Sequence, residues 1–298
     1  MKLTERFKKN EFVITSEVGP MKGCVRNGTP PAFLQEAREI AKYVHAVNVT
    51  DNQSAVMKLG SLAASIYLQR DGIEPIFQMT CRDRNRIALQ SDLLSACSLG
   101  IQNVLCLTGD HIRLGDHMSA KPVFDIDSVQ LLAIAKELNE GHDMAGNELT
   151  EPTDLALGAV VNPNFEPLDL QLMKMEKKID AGARFFQTQA VYDPRTFETF
   201  MKKAKEFGTP IQYGVVIIKS PEMAKYMNAH VSGIKVPQTL IDEIGSVPKE
   251  QRRQKAIEMT ARLVNEIAPM VQGIHFMPLG WSDIVPEIIA RIAIPRKN

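Results

Sequence analysis

Short apolar, β-rich runs alternate along the chain with longer stretches of helical period. The runs fall at 11–18 (EFVITSEV), 45–50 (HAVNVT), 75–80 (PIFQMT) and 103–108 (NVLCLT). They continue at 155–161 (LALGAVV), 184–189 (RFFQTQ), 211–218 (IQYGVVII) and 273–278 (GIHFMP). Several are apolar almost throughout, the pattern of a parallel strand covered on both faces. The intervening segments are amphipathic. Leu34, Ala37, Ile40, Ala41 and Val44 share one helical face, and Thr29 with Pro30 and Pro31 suits a helix entry. Leu168, Leu172, Met175 and Ile179 repeat at helical spacing, with Gly182 behind them as a stop. A last helix from about Ile284 carries Ile284, Val285, Ile288, Ile289 and Ile292 inward, with Ser282 placed to cap it.

Eight strand–helix units predict an α/β fold, a closed (β/α)8 TIM-type barrel, better than an open sheet. Two insertions interrupt the rhythm: one follows the fourth strand, 110–127, and one at 237–267 adds extra helices between strands 7 and 8. Segment 139–153 is polar and aperiodic, hence an exposed loop. Because no stretch rich in Pro, Gly or Ser divides the chain, residues 1–298 are expected to form a single domain.

Composition narrows the function classes. Lys+Arg and Asp+Glu both total 35, so no basic excess recommends nucleic acid or an anionic membrane as partner. A net charge of zero does little to oppose self-association, so a homo- or hetero-oligomer is expected. The first 18 residues are charged and lack a secretion signal's apolar stretch, and no run is long enough to span a bilayer. With Cys24, Cys81, Cys97 and Cys106 scattered and never paired as C-x-x-C, the expectation is a cytoplasmic protein with reduced thiols and no metal site. His111 and His117, six apart in a polar loop, have poor ligand spacing.

In such barrels the reactive side chains come from the C-terminal ends of strands. Here those ends read Ser16-Glu17, Thr50-Asp51-Asn52-Gln53, Gln78-Met79-Thr80, Thr108-Gly109-Asp110, Asn162-Pro163-Asn164 and Gln187-Thr188-Gln189. Several admit a plain alternative: a solvated turn for Glu17, an Asx turn for Asp110, a backbone partner for Gln189, strand-end hydroxyls for Thr50 and Thr80. Their concurrence on one mouth favours a site. No Ser-His-Asp order, nucleophile elbow or Walker loop is present, and no lysine is placed for a Schiff base. Amides, hydroxyls and two carboxylates suit a polar heterocycle such as a flavin or a pterin. Gly109 would let backbone approach a flat ring.

These residues also carry a family resemblance. SEVGP (16–20), VNVTDN (47–52), MTC (79–81), LTGD (107–110), KKIDAGARFFQTQAVYD (177–193) and GIHFMPLGW (273–281) resemble the methylenetetrahydrofolate reductase family over essentially the whole chain. The resemblance implies a flavoprotein of one-carbon metabolism. In it, reduced flavin passes hydride to 5,10-methylenetetrahydrofolate, giving the 5-methyl form that feeds methionine biosynthesis. Carried over by position, Glu17 resembles the general acid that opens the folate's bridging ring to an iminium. Asp110 resembles the carboxylate that stabilises that cation and tunes the flavin. Gln189 resembles a folate-contacting amide. Thr50, Asp51, Gln78, Thr80, Thr108, Gly109, Asp110, Val160, Asn164 and Lys178 fall at flavin-lining positions. An apolar strand end would favour the neutral acid form that Glu17 needs for its role.

The chain also departs from the family pattern. Better-known bacterial members carry His at the place of Gln78, Arg at Thr108, and Tyr and His near Val160 and Asn164. FAD is the family's cofactor, and these changes open FMN beside it. Trp281 stands where those relatives place an arginine for the folate tail, so it enters the substrate-binding set. Their strand 7 loop holds an aromatic that stacks on nicotinamide nucleotide, whereas here it reads VVIIKSPEM (215–223). Electron donation by an iron–sulfur partner subunit thus stands beside NAD(P)H. The rival function is a pterin-binding barrel methyltransferase that needs no flavin, and a catalytically silent scaffold subunit is the rival outside enzymes. The TGD turn and the strand 6 Thr-Gln favour the reductase over the first. Retention of both Glu17 and Asp110 argues against the second.

Overall fold

The computed structural model describes residues 1–26 and 29–294. Eight strands run β1 (Val13–Val18), β2 (Ala46–Val49), β3 (Pro75–Thr80), β4 (Asn103–Leu107), β5 (Ala156–Val161), β6 (Phe185–Thr188), β7 (Ile211–Val216) and β8 (Gly273–Met277). All pair in parallel and in chain order, and β8 closes on β1 with Thr15 opposite His275. β3 fills its expected run, and each of the other strands lies within its own, shorter by one or two residues at one or both ends.

The helices are α1 (Leu3–Lys8), α2 (Ala32–Ile40), α3 (Ser61–Arg70), α4 (Arg86–Ser98), α5 (Ser128–Asn139), α6 (Leu168–Asp180), α7 (Pro194–Ala204), α8 (Pro221–His230), α9 (Gln238–Gly245), α10 (Arg252–Ile267) and α11 (Val285–Ile289). α9 and α10 are the expected insertion between strands 7 and 8. Asp127 starts α5 through a capping box, its carboxylate accepting from Val129 and Gln130 N–H while Gln130 returns a bond to the Asp127 N–H. Two local expectations fail. α2 ends at Ile40, so Val44 packs on the core from the following turn rather than from the helix. Ser282 does not cap the last helix. It sits inside a 3₁₀ turn at Ser282–Ile284, and its hydroxyl donates to Glu36 Oε2 at 3.1 Å. Among the described residues no helix is long and apolar enough to cross a membrane.

The barrel interior changes character along its axis. At the bottom, Val13, Ala46, Ile76, Leu105 and Phe185 form an apolar layer, and α1 closes it from below with Leu3 and Phe7. Above it lies a buried polar layer of Thr15, Asn48, Gln187, Gln212 and His275. The outer core, between strands and helices, is continuous and apolar. Gly158 makes room for the floor: a Cβ there would lie 2.3 Å from Phe185 Cζ. Phe185 is therefore the keystone of the lower barrel. Phe185→Ala should cost about 3–5 kcal/mol of unfolding free energy, read from the denaturant midpoint. A midpoint equal to the parent's would show that the floor carries no such weight.

Candidate active site

At the C-terminal ends of the strands a cavity of ≈ 380 Å³ opens. Ten sequence-predicted residues line it together: Glu17, Asp51, Gln78, Thr80, Thr108, Gly109, Asp110, Val160, Lys178 and Gln189. Three stand elsewhere. Thr50 is buried behind the wall, its hydroxyl without a hydrogen-bond partner among the described residues. Asn164 is turned from the cavity, its amide donating to the carbonyls of Ala190 and Gly233 at 2.9 and 2.8 Å, which pins the loop after β5. Trp281 lies at the rim in a separate depression, between Lys219 Nζ at 5.2 Å and Arg253 Cζ at 5.0 Å from its ring centre.

The wall beside Asp110 is built from ion pairs in which one partner, Asp51 or Arg82, is buried. The Asp51 carboxylate accepts from the Thr80 N–H and hydroxyl, both at 2.9 Å, and pairs with Arg84, tying the end of β2 to β3. Arg82 is only 1% exposed. Its guanidinium grips the Asp83 carboxylate at 2.8 and 2.7 Å and donates to the carbonyls of Asp110 and Asn52. Burial works against the Asp83 carboxylate, but Arg82 overrides it and holds the carboxyl below its ordinary value. The loop after β2 is strained, with Asn52, Ser54 and Ala55 all in the left-handed region. It is clasped by the loop after β4: Ser54 N–H donates to Asp110 Oδ2 at 3.1 Å and Met57 N–H to Asp116 Oδ1 at 3.1 Å. Asp110 itself is exposed on this clasp.

The backbone itself requires glycine at position 109. Its φ is +92°, and a Cβ would lie 3.0 Å from Thr80 Cβ and 3.3 Å from Arg82 Cβ. On the opposite wall, Lys178 projects from the buried face of α6, and its Nζ donates to the Val160 carbonyl at 2.6 Å. Burial, then the neighbouring Lys174, lowers its pKa to about 8. The thiol of Cys106, also in the wall, and that of Cys81 behind it are pushed up by burial, Cys81 to about 12, so neither supplies a thiolate.

Glu17 sits at the bottom of the cavity, 7% exposed. Its Oε1 is buried and has no hydrogen-bond partner among the described residues. Its Oε2 lies 3.7 Å from His275 Nε2. A buried carboxyl with one oxygen unmatched is costly unless that oxygen meets a ligand, so this atom marks where chemistry can occur. His275 and Arg82 were not among the expected site residues. His275 follows Glu17's side of the barrel by period-two alternation, and the strand 8 run GIHFMP could have exposed it as a lone polar residue. Arg82 follows a strand end, but a single arginine in a charged loop carries no local signal.

Comparison with known proteins identifies the family. The family model described as methylenetetrahydrofolate reductase matches residues 2–293. A probable methylenetetrahydrofolate reductase (NADPH) of Caenorhabditis elegans is 26% identical over 253 residues, 82% of this chain but 36% of the longer relative. The 5,10-methylenetetrahydrofolate reductase of Pectobacterium carotovorum subsp. carotovorum is 23% identical over 72% of this chain and 68% of its own length. Among solved structures, a Clostridium thermocellum protein described as binding two copies of 5-methyl-5,6,7,8-tetrahydrofolic acid shares the fold, with a TM-score of 0.63, 15% identity and 97% coverage of both chains. With the match running nearly end to end, this chain belongs to the methylenetetrahydrofolate reductase family.

Proposed function

We propose that this chain reduces the methylene group of 5,10-methylenetetrahydrofolate to a methyl group at a flavin-dependent site in the barrel mouth. The observation that carries the reading is Glu17, buried at the base of the cavity with Oε1 unmatched. A carboxyl so placed suits proton donation to a nitrogen of the folate's bridging ring, the step that exposes the iminium. Asp110, across the same cavity, would place negative charge near that cation. Gln189 lines the cavity, with its Oε1 accepting from the Ala190 N–H at 3.0 Å. Its amide N–H groups are left to orient a pterin. Family membership supports the substrate class, and so does the 5-methyl-tetrahydrofolate, the product of this reaction, described for the Clostridium neighbour.

The residues present fit a flavin. Gln78 lines the cavity, while Thr80 and Thr108 frame its wall. Thr80 donates to Asp51 and Thr108 to the Ser128 hydroxyl, so both are fixed in orientation. Lys178 supplies a cation on the opposite wall. A bound reduced flavin, FAD or FMN, would supply the hydride. Asp51 acts in this scheme through the wall it ties together, and Asn164 through the loop it pins. Trp281, between two cations at the rim, is suited to a folate tail or to a protein surface.

Three outcomes follow from this reading. Glu17→Gln keeps shape but loses the transferable proton. It should bind and accept electrons into flavin normally while methylenetetrahydrofolate reduction falls about 10²-fold or more. Near-normal turnover would remove Glu17 from the chemistry.

The second concerns Lys178. Its pKa near 8 reflects desolvation, with Lys174 also lowering it, and Cys106 and Asp127 opposing. An anionic flavin phosphate beside it would raise that pKa, so binding takes up a proton. Affinity should then fall as pH rises through 8, by up to roughly tenfold between pH 7 and 9. Flavin fluorescence quenching measures this, and Lys178→Met should abolish the slope. An unchanged slope in that variant would place the phosphate elsewhere.

The third concerns the electron donor. Ile217 and Ile218 after β7 are buried, and Tyr226 stacks on His230 instead of facing the mouth. Without a stacking ring worth about 0.5–1.5 kcal/mol, the isolated chain should reduce its flavin slowly with NADH or NADPH. An iron–sulfur partner should do so faster. Rapid, saturable bleaching by micromolar NADH in stopped flow would contradict this.

A further inference from the structure

We infer that His275, oriented by Thr15, is the positioning residue that holds Oε2 of Glu17 and thereby assigns the transferable proton to Oε1. The inference rests on the proposed acid role of Glu17 and concerns how that acid is set up.

Atoms that can only accept fix the amide orientations around Thr15. The backbone carbonyls of Val13 and Ile274 lie 3.2 and 3.3 Å from Gln212 Nε2, so the amide of Gln212 must present its N–H groups on this side. Those N–H groups also reach Thr15 Oγ1 at 3.1 Å. Gln187 Nε2 reaches the same oxygen at 3.3 Å, while Gln187 Oε1 accepts from Asn48 Nδ2 at 2.8 Å. Amide nitrogens donate and never accept. Gln187 Nε2 also has Gln212 Oε1 at 3.1 Å and Asn48 Oδ1 at 3.2 Å for its two protons. Neither amide nitrogen can take a proton from Thr15, so Thr15 Oγ1 accepts from Gln212 and must send its own proton elsewhere.

Two acceptors lie in reach of that proton: His275 Nδ1 at 3.0 Å and the Ile274 carbonyl at 3.4 Å. The shorter wins. A proton on Nδ1 would add a donor to an oxygen that already faces two amide nitrogens and leave the Thr15 hydroxyl only the Ile274 carbonyl at 3.4 Å. Nδ1 is thus the acceptor, and the ring proton sits on Nε2, the nitrogen that faces Glu17 Oε2 at 3.7 Å. That separation is open for a hydrogen bond and of the kind that tightens when substrate closes the site.

An N–H aimed at Oε2 serves Glu17 in both of its states. While Glu17 is the neutral acid, Oε2 accepts as its carbonyl oxygen and the proton rides on Oε1. Once the proton has gone to substrate nitrogen, the same N–H steadies the new carboxylate. Oε1 is the oxygen without a partner among the described residues. The polar layer leads nowhere below. It ends in Asn48, the two glutamines and the carbonyls of Val13 and Ile274, none of which exchanges protons at ordinary pH, and under them lies the apolar floor closed by α1. Glu17 must therefore be reprotonated from the mouth.

Two measurements test this. Long-range ¹H–¹⁵N correlation spectra of the ¹⁵N-histidine-labelled protein, with His275 assigned by its loss in His275→Asn, should show an imidazole protonated at Nε2 and bare at Nδ1. An Nδ1–H tautomer or an imidazolium would overturn the orientation. In single-turnover methylenetetrahydrofolate reduction by pre-reduced, flavin-loaded enzyme, His275→Asn should lose about tenfold to hundredfold, the scale on which a partner of a reactive group acts. Flavin binding and flavin reduction should be unchanged. Thr15→Val should show the same pattern and Thr15→Ser restore it, which keeps the test open should His275→Asn fold poorly. In a Glu17→Gln background neither change should cost anything further, whereas an additional loss there would make His275 a general support of the barrel. Should Glu17→Gln alone leave the rate intact, the acid role falls, and with it the proposed function.

Discussion

Everything at this site depends on a polar layer that a closed barrel has to satisfy internally. Thr15, Asn48, Gln187, Gln212 and His275 are all 3% exposed or less, and each spends its hydrogen bonds on the others or on strand carbonyls. A half-satisfied network of this kind would cost more than an apolar core. Its members are therefore held to one arrangement, with rotamers and amide orientations locked by their neighbours. Glu17 stands one step further up the axis, so its position is inherited from that order. The apolar floor beneath, with Phe185 over Gly158 and α1 as plug, keeps water from reaching the layer from below. Polar chemistry is thereby confined to the open end.

The mouth is ordered by a second device, buried charge. Arg82 and Arg84 bind the loops after β2, β3 and β4 into one wall through Asp51, Asp83 and the carbonyls of Asn52 and Asp110. Breaking such a pair leaves an uncompensated buried charge, which costs far more than the pair contributes. The strain in the loop after β2 is held by the same clasp. A strained, ion-paired rim around an exposed Asp110 is consistent with a site that fixes a charged group where a cation develops.

How much of this was legible follows from which interactions are local. The eight strands could be read because both-face burial writes itself as apolar runs, and α9 and α10 because helical period is local. Eight of the ten cavity residues were legible at strand ends, Gly109 among polar neighbours, whereas Val160 and Lys178, the latter on α6, followed only from the family resemblance. Val44 and Ser282 were misplaced because helix ends are decided by tertiary neighbours, Glu36 in the second case. Asn164 looks like a mouth residue in sequence, but its amide is claimed by the carbonyls of Ala190 and Gly233, the latter 69 residues away, which no local pattern records. Trp281 is drawn aside by Lys219 and Arg253 in the same way. The interior layer was missed as a unit because Asn48, Gln212 and His275 each sit alone among apolar neighbours, and Thr15 merges with the polar strand end that follows it. Only barrel closure, bringing β8 beside β1, makes them a network.

The central claim is that this mouth carries electrons from a bound flavin to a folate methylene group. It is tested most directly by removing the electron donor from the question. Flavin-loaded protein photoreduced under anaerobic conditions and mixed with methylenetetrahydrofolate should regain its oxidised flavin absorbance. One equivalent of 5-methyltetrahydrofolate should appear for each flavin reoxidised. Flavin that stays reduced in the presence of excess methylenetetrahydrofolate, with no methyl product, would contradict the account.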